Sequence, residues 1–213
     1  MQQTIYRLSA ALAAVLAAGS AYASNSVVLD VTGTVTPASC NLVLSQPTID
    51  LGNISSGALN ESVPTKVGTG SSDINVTCTS ATQFALQVLD DQQASVDAAS
   101  ATAVGAPTGY GYGLGSVAGV NVGAYAVGLS AGTAGTSGAT FIRSTDGKSW
   151  APTTLLQPGT TYTAWSTDGS TPASVNSAKA TLDVTAAVTA RQNLDLSSAV
   201  ALAGKATIEL HYL

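Results

Sequence analysis

Apolar and polar residues alternate one for one in segment after segment of this 213-residue chain, and that pattern restricts the regular structure it can adopt. Val27, Leu29 and Val31 alternate with Val28, Asp30 and Thr32. Ile49 and Leu51 alternate, as do Ile74, Val76 and Cys78, then Phe84, Leu86 and Val88. Further on come Tyr125, Val127 and Leu129, then Leu182, Val184, Ala186 and Val188, and finally Ala206, Ile208, Leu210 and Tyr212. Successive side chains of a strand point to opposite faces, so a period of two rich in Val, Ile, Thr and Tyr marks half-buried strands. Helical periodicity does not recur beyond the first residues. Many short strands with turn residues between them predict an all-β, antiparallel sandwich or barrel.

The first residues read differently. Arg7 gives a short basic start, Leu8 to Ala18 is almost wholly apolar, and Ala21-Tyr22-Ala23 has the small-residue pattern of a cleavage site. The apolar run is about half of the roughly 20 residues a spanning helix needs. Residues 1–23 are therefore expected to be an export signal removed after Ala23, the alternative being a retained N-terminal anchor. Loss of Arg7 would take the formal charge from −5 to −6. Such a surface repels nucleic acid, and no Lys/Arg cluster offsets it.

An exported chain folds in an oxidising compartment. Its two cysteines, Cys40 and Cys78, then read most simply as one intramolecular disulfide. No further cysteine and no suitably placed histidine completes a metal site around them, so neither a metal nor another cofactor is expected. Ser144-Thr145-Asp146-Gly147 and Ser166-Thr167-Asp168-Gly169 repeat one tetrapeptide whose Asp-Gly pair suits a tight hairpin turn. Neither has the alternating acidic ligands of a calcium loop. Eleven of the 21 glycines fall between Gly105 and Gly138, interleaved with Tyr110, Tyr112 and Tyr125. That stretch reads as Gly-rich loops and strand edges around buried tyrosines, or as an exposed aromatic platform.

Enzyme chemistry finds little support. His211 is the only histidine and no G-x-S-x-G elbow is present. Asp90 and Asp91 adjoin, but neighbours on a strand point to opposite faces and do not converge on a substrate. The chain is expected not to be an enzyme. Tyr110, Tyr112, Trp150 and Trp165 are the candidate aromatics for stacking on a sugar.

Several stretches resemble one family in their order. The run Val27 to Val35, followed by Thr36-Pro37-Ala38-Ser39-Cys40, places a glycine, Gly33, seven positions before a cysteine. It resembles the N-terminal extension and first strand of chaperone–usher pilins. Asp50-Leu51-Gly52-Asn53-Ile54, Cys78 after Ile74-Asn75-Val76-Thr77, and the ending Ala206 to Leu213 with its penultimate tyrosine are similar to later parts of the same proteins. Gly113-Leu114-Gly115, Gly123-Ala124-Tyr125, Ser149-Trp150 and Asp195-Leu196-Ser197 resemble a fimbrial-like branch catalogued as domain of unknown function 1120.

The resemblance implies an immunoglobulin-like sandwich, residues 37–213, that lacks its last strand and carries a Gly-rich insertion at about 105–138. It implies a donor-strand extension at residues 24–36. Val27, Leu29, Val31, Gly33 and Val35 would enter a neighbouring fimbrial subunit, the alternative being an ordinary first strand of a complete domain. Ala206, Ile208, Leu210, Tyr212 and Leu213 would meet a periplasmic chaperone before delivery to an outer-membrane usher, although Tyr212 equally suits the core. The implied function is a structural subunit of a surface fimbria of a Gram-negative bacterium, supporting adhesion and biofilm formation. The alternative is a lectin-like minor or tip subunit that binds a host or surface glycan.

Overall fold

Each alternating segment after residue 60 becomes a strand in the computed structural model, which describes residues 29–34 and 37–213. The expected export signal, Val27 and Val35 lie outside the described residues. Residues 37–213 form one unit, and the segment 29–34 belongs to a separate one and contains no strand.

The strands in chain order are β1 Cys40–Leu44, β2 Thr65–Thr82, β3 Phe84–Asp90, β4 Tyr112–Gly113, β5 Ser116–Val117, β6 Val120–Asn121 and β7 Gly123–Ala134. They continue with β8 Ser137–Gly138, β9 Thr140–Ser144, β10 Ala151–Thr153, β11 Tyr162–Ser166, β12 Val175–Val188 and β13 Ala206–Tyr212. Among the described residues one sheet has the order β1-β2-β12-β7-β4, with β8 also on β7, and the other has β10-β9-β11-β3-β13. All of these pairings are antiparallel. The expectation of an antiparallel all-β sandwich holds.

The two inner faces meet in one apolar core. Ile74, Val76 and Cys78 from β2, Phe84, Leu86 and Val88 from β3, and Ala178, Ala180 and Leu182 from β12 interleave there. Trp165 on β11 anchors the centre. Phe84 and Phe141 stand edge-on to it at 5.7 and 6.0 Å, and its indole N–H donates across the sandwich to the Lys179 carbonyl at 2.7 Å. That bond satisfies a buried donor and ties the two sheets together.

The disulfide is formed. Cys40 and Cys78 are directly opposed in the β1–β2 register, with Cα atoms 4.0 Å apart, and the bond closes a loop with a separation of 38 residues. The paired Ser-Thr-Asp-Gly loops also form, with one difference from expectation. Ser144–Ser149 makes the β9–β10 hairpin, whereas Ser166–Thr171 carries the chain from β11 in one sheet toward β12 in the other. Both are braced alike. The Asp146 carboxylate accepts the Ser149 and Lys148 N–H groups at 2.8 Å, and Asp168 accepts those of Ser170 and Thr171. Hydrogen bonds to the charged form, chiefly from the Ser149 amide and the Thr171 hydroxyl, hold both carboxyls well below the usual carboxylate range.

The Gly-rich stretch is woven into the first sheet as β4, β7 and β8. Its glycines permit close backbone approach: a Cβ on Gly113 would collide with the Gln92 carbonyl, and one on Gly123 with the Ala187 carbonyl. The helix Ala98–Ala103 and the strands β9 and β11 carry no alternation that marked them in advance. In β9 and β11 both faces are apolar, because Trp150 and Tyr162 cover Ile142 and Ala164 on the outer face.

Replacing both cysteines, Cys40→Ser with Cys78→Ser, is expected to lower the unfolding free energy by about 3–4 kcal/mol. Urea denaturation of the oxidised chain and the variant checks this.

Candidate partner-strand groove

The first sheet runs on beyond the strand that borders it. β1 has five residues and pairs only with Ile74–Cys78, while β2 has eighteen and pairs with β12 from Thr65 to Thr82. Below Ile74 no strand covers the outer edge of β2 among the described residues. In the second sheet β13 pairs with β3 and is the last strand.

These two open edges border one cleft of about 910 Å³, lined by Leu44 and Ser72 from one side and Ala206 and Ile208 from the other. Its floor is the sandwich interior: Val88, Val127, Leu182 and Val184. Val184 lies on the inner face of a central strand, where burial is normally complete, yet it is only half-buried. The aromatic trio of Phe84, Phe141 and Trp165 is absent from the lining, so the cleft occupies the other half of the core.

The polarity of β13 can be read from its flanking bonds. Leu213 N–H donates to the Gln83 carbonyl, and Asp91 N–H donates to that of Lys205. Antiparallel ladders alternate, so the odd-numbered residues turn their backbone groups toward β3 and Ala206, Ile208, Leu210 and Tyr212 turn theirs to the open edge. Of these residues, Ile208 and Leu210 pack against the core and Ala206 lines the cleft beside Ile208. Unpaired N–H and C=O groups beside apolar side chains form a template for an extended chain.

Two stretches cover parts of the cleft. The predicted strand at Ile49–Leu51 does not form; residues 46–54 instead pass over the inner face of β2. The reason is local. Gly68 and Gly70 fall on that inner face, and Leu51 and Ile49 occupy the space that side chains there would need. From the other side, Leu194, Leu196, Val200 and Leu202 hang over the same cleft. At the disulfide end, Cys40 N–H donates to the Tyr212 hydroxyl at 2.8 Å, joining the two bordering strands.

At the opposite end the rings of Tyr112 and Tyr125 stack 4.9 Å apart, and the Tyr112 hydroxyl donates to the Leu156 carbonyl at 3.1 Å. Burial pushes both phenols up and so keeps them neutral, and burial raises the neighbouring Asp90 carboxyl despite its bonds from Gly113 and Gln92 N–H. The two stacked rings thus give this end of the cleft an apolar wall, with Lys205 and Asp91 paired beside it.

The remaining sequence candidates are placed as follows. Leu29 and Val31 are 85% and 87% exposed, and nothing lies within 4 Å of where a Cβ on Gly33 would be. The predicted alternation there does not become a strand over residues 29–34, because an extended segment keeps ladder bonds only beside a partner edge. Ala206, Tyr212 and Leu213 are exposed. Among the aromatics, Tyr112 and Trp165 are core residues and turn no free ring face to solvent. Tyr110 lies half-buried under the Arg143 guanidinium, 5.9 Å from the ring centre, and Trp150 packs over Ile142. Of the two covering stretches, the first was expected as a strand at Ile49–Leu51, and the second was not expected to cover the core. Leu194, Leu196, Val200 and Leu202 all fall on even positions, a broken alternation that was legible.

Residues 29–126 match the model of a family described as "Protein of unknown function (DUF1120)". No curated protein matches the chain.

Leu51→Ala is expected to cost about 1–2 kcal/mol of stability, because a partly buried side chain on the core is lost. Leu29→Ala and Val31→Ala should leave it within about 0.5 kcal/mol. Urea midpoints of the three variants check this contrast.

Proposed function

We propose that this chain is a structural subunit of a chaperone–usher fimbria, built to receive a β-strand from another chain and to lend its own N-terminal segment in turn. The observation that carries the reading is the apolar cleft between two unpaired sheet edges, β13 and the lower half of β2. An inserted strand supplies both missing components, since its backbone pairs with the open edge and its alternating side chains enter the core.

The N-terminal segment has the matching chemistry. Leu29 and Val31 stand in solvent, where two large aliphatic side chains gain nothing from their own unit. Together with Val27 they would bring roughly 5–8 kcal/mol of apolar burial to a recipient cleft. Gly33 continues the same face and suits a place where two backbones come close. A periplasmic chaperone would fill the cleft first, binding along β13 to Leu213, and an outer-membrane usher would direct the exchange for the next subunit. The fibre so built would sit on the cell surface and support adhesion.

Deleting residues 24–31 is expected to leave a folded, chaperone-bound monomer that does not extend a fibre; normal polymerisation of that deletion refutes the reading. Removing His211 to Leu213 takes away the latch to Cys40 and the end of the pairing edge. Co-purification with the chaperone should then fall to background, and undiminished recovery of the complex counts against the assignment.

A further inference from the structure

The stretch between β12 and β13 is more than a connection. Its start is held by an ion pair between Arg191 and Glu61 and by the Arg191 and Gln192 amides, which donate to the Asn60 and Glu61 carbonyls at 2.9 and 3.1 Å. Its end is held where Ala203 N–H donates to the Leu114 carbonyl at 2.9 Å, with Gly204 against the Tyr125 and Leu114 side chains. Between these anchors, from Asp195 to Leu202, no backbone bond reaches another part of the described protein. The local bonding is from Ser197, whose N–H donates to the Asp195 carboxylate at 3.0 Å.

This span nevertheless carries the aliphatic side chains that enter the cleft. Leu196, Val200 and Leu202 are each only half-buried, and Ser197, Ser198, Ala199 and Ala201 between them are exposed. It therefore covers core atoms without being bonded to the walls. A strand paired along all of β13 would extend about 20 Å, at about 3.3 Å per residue. At the Ala206 end it would run into the space these leucines hold, because both line the same cleft.

We infer that Asp195–Leu202 is a displaceable plug, a stand-in for part of the absent strand that must leave the cleft before a partner strand seats fully. The inference rests on the reading that the cleft takes a strand. Few buried contacts and unbonded backbone are the properties of a segment that opens at low cost. The plug hides apolar surface while the cleft is empty. It also competes with the incoming strand, and apparent affinity falls by the fraction of molecules in which the cleft is closed.

The test compares the full exported chain with its Leu196→Ser/Leu202→Ser variant, using a fluorescent peptide of residues 24–36 as the probe. The peptide is expected to bind the variant about tenfold more tightly and with a faster on-rate. Equal affinities overturn the plug and leave the strand-binding reading standing. Weaker binding to the variant overturns it too, by making the leucines part of the binding wall. No binding to either chain overturns the strand-binding reading and the plug with it. Should the variant fail to fold, methyl NMR of the unaltered chain decides: the Leu196 and Leu202 methyl groups are expected to lose their contacts with the cleft residues when the peptide binds, and contacts that persist in the bound state overturn the plug.

Discussion

The inner faces of this sandwich are longer than the strands that close them, and the rest of the molecule answers that mismatch. β2 and β12 pair over almost their whole lengths, and every second residue of both points inward. The strand on the β2 edge stops after five residues, and the facing sheet ends at β13. Apolar side chains such as Val184 are thus placed where a core should be but are left half in water. Burial of apolar area is the main favourable term in folding, so an unfilled gap of this kind is both a loss of stability and a source of affinity.

The chain repairs part of the gap with its own residues. Ile49 and Leu51 lie over Gly70 and Gly68, the Tyr212 hydroxyl joins the two bordering strands, and leucines of the 194–202 stretch cover the far end. None of these replaces a strand, because none pairs with the backbone groups that Ile208 and Leu210 present. The closed half of the sandwich, with its disulfide, Trp165 and the two phenylalanines, holds the fold while the other half stays open. Rigidity at one end and incompletion at the other suit the proposed role, in which the unit persists until a partner strand arrives.

Much of this was legible from the period of two. The strands containing Ile74 to Cys78, Leu182 to Val188 and Ala206 to Tyr212 follow from alternation alone, and the opposed cysteines form their bond in register. Where alternation misled, tertiary context decided. Ile49 and Leu51 alternate but meet an inner face emptied by Gly68 and Gly70, so they serve as filling and not as a strand. β9 and β11 were missed because Trp150 and Tyr162 bury their second face, which erases the polar half of the pattern. The helix Ala98–Ala103 has six residues, too few to show a period, and depends on the Asp97 side chain accepting from Ser100 N–H. The ends of the cleft were the least legible feature, since edge length is set by where pairing stops and no single residue announces that.

The central claim is that this sandwich lacks a strand which another polypeptide supplies. The most direct measurement is the thermal unfolding of residues 24–213 beside the same chain carrying a second copy of residues 24–36 after Leu213. There the added segment can fold back along β13 and fill the cleft from within. The account predicts an unfolding midpoint higher by about 10–30 °C, the scale on which several kcal/mol of new burial registers in a domain of this size. Unchanged midpoints, with the unmodified chain already a stable, cooperatively unfolding monomer, would contradict it.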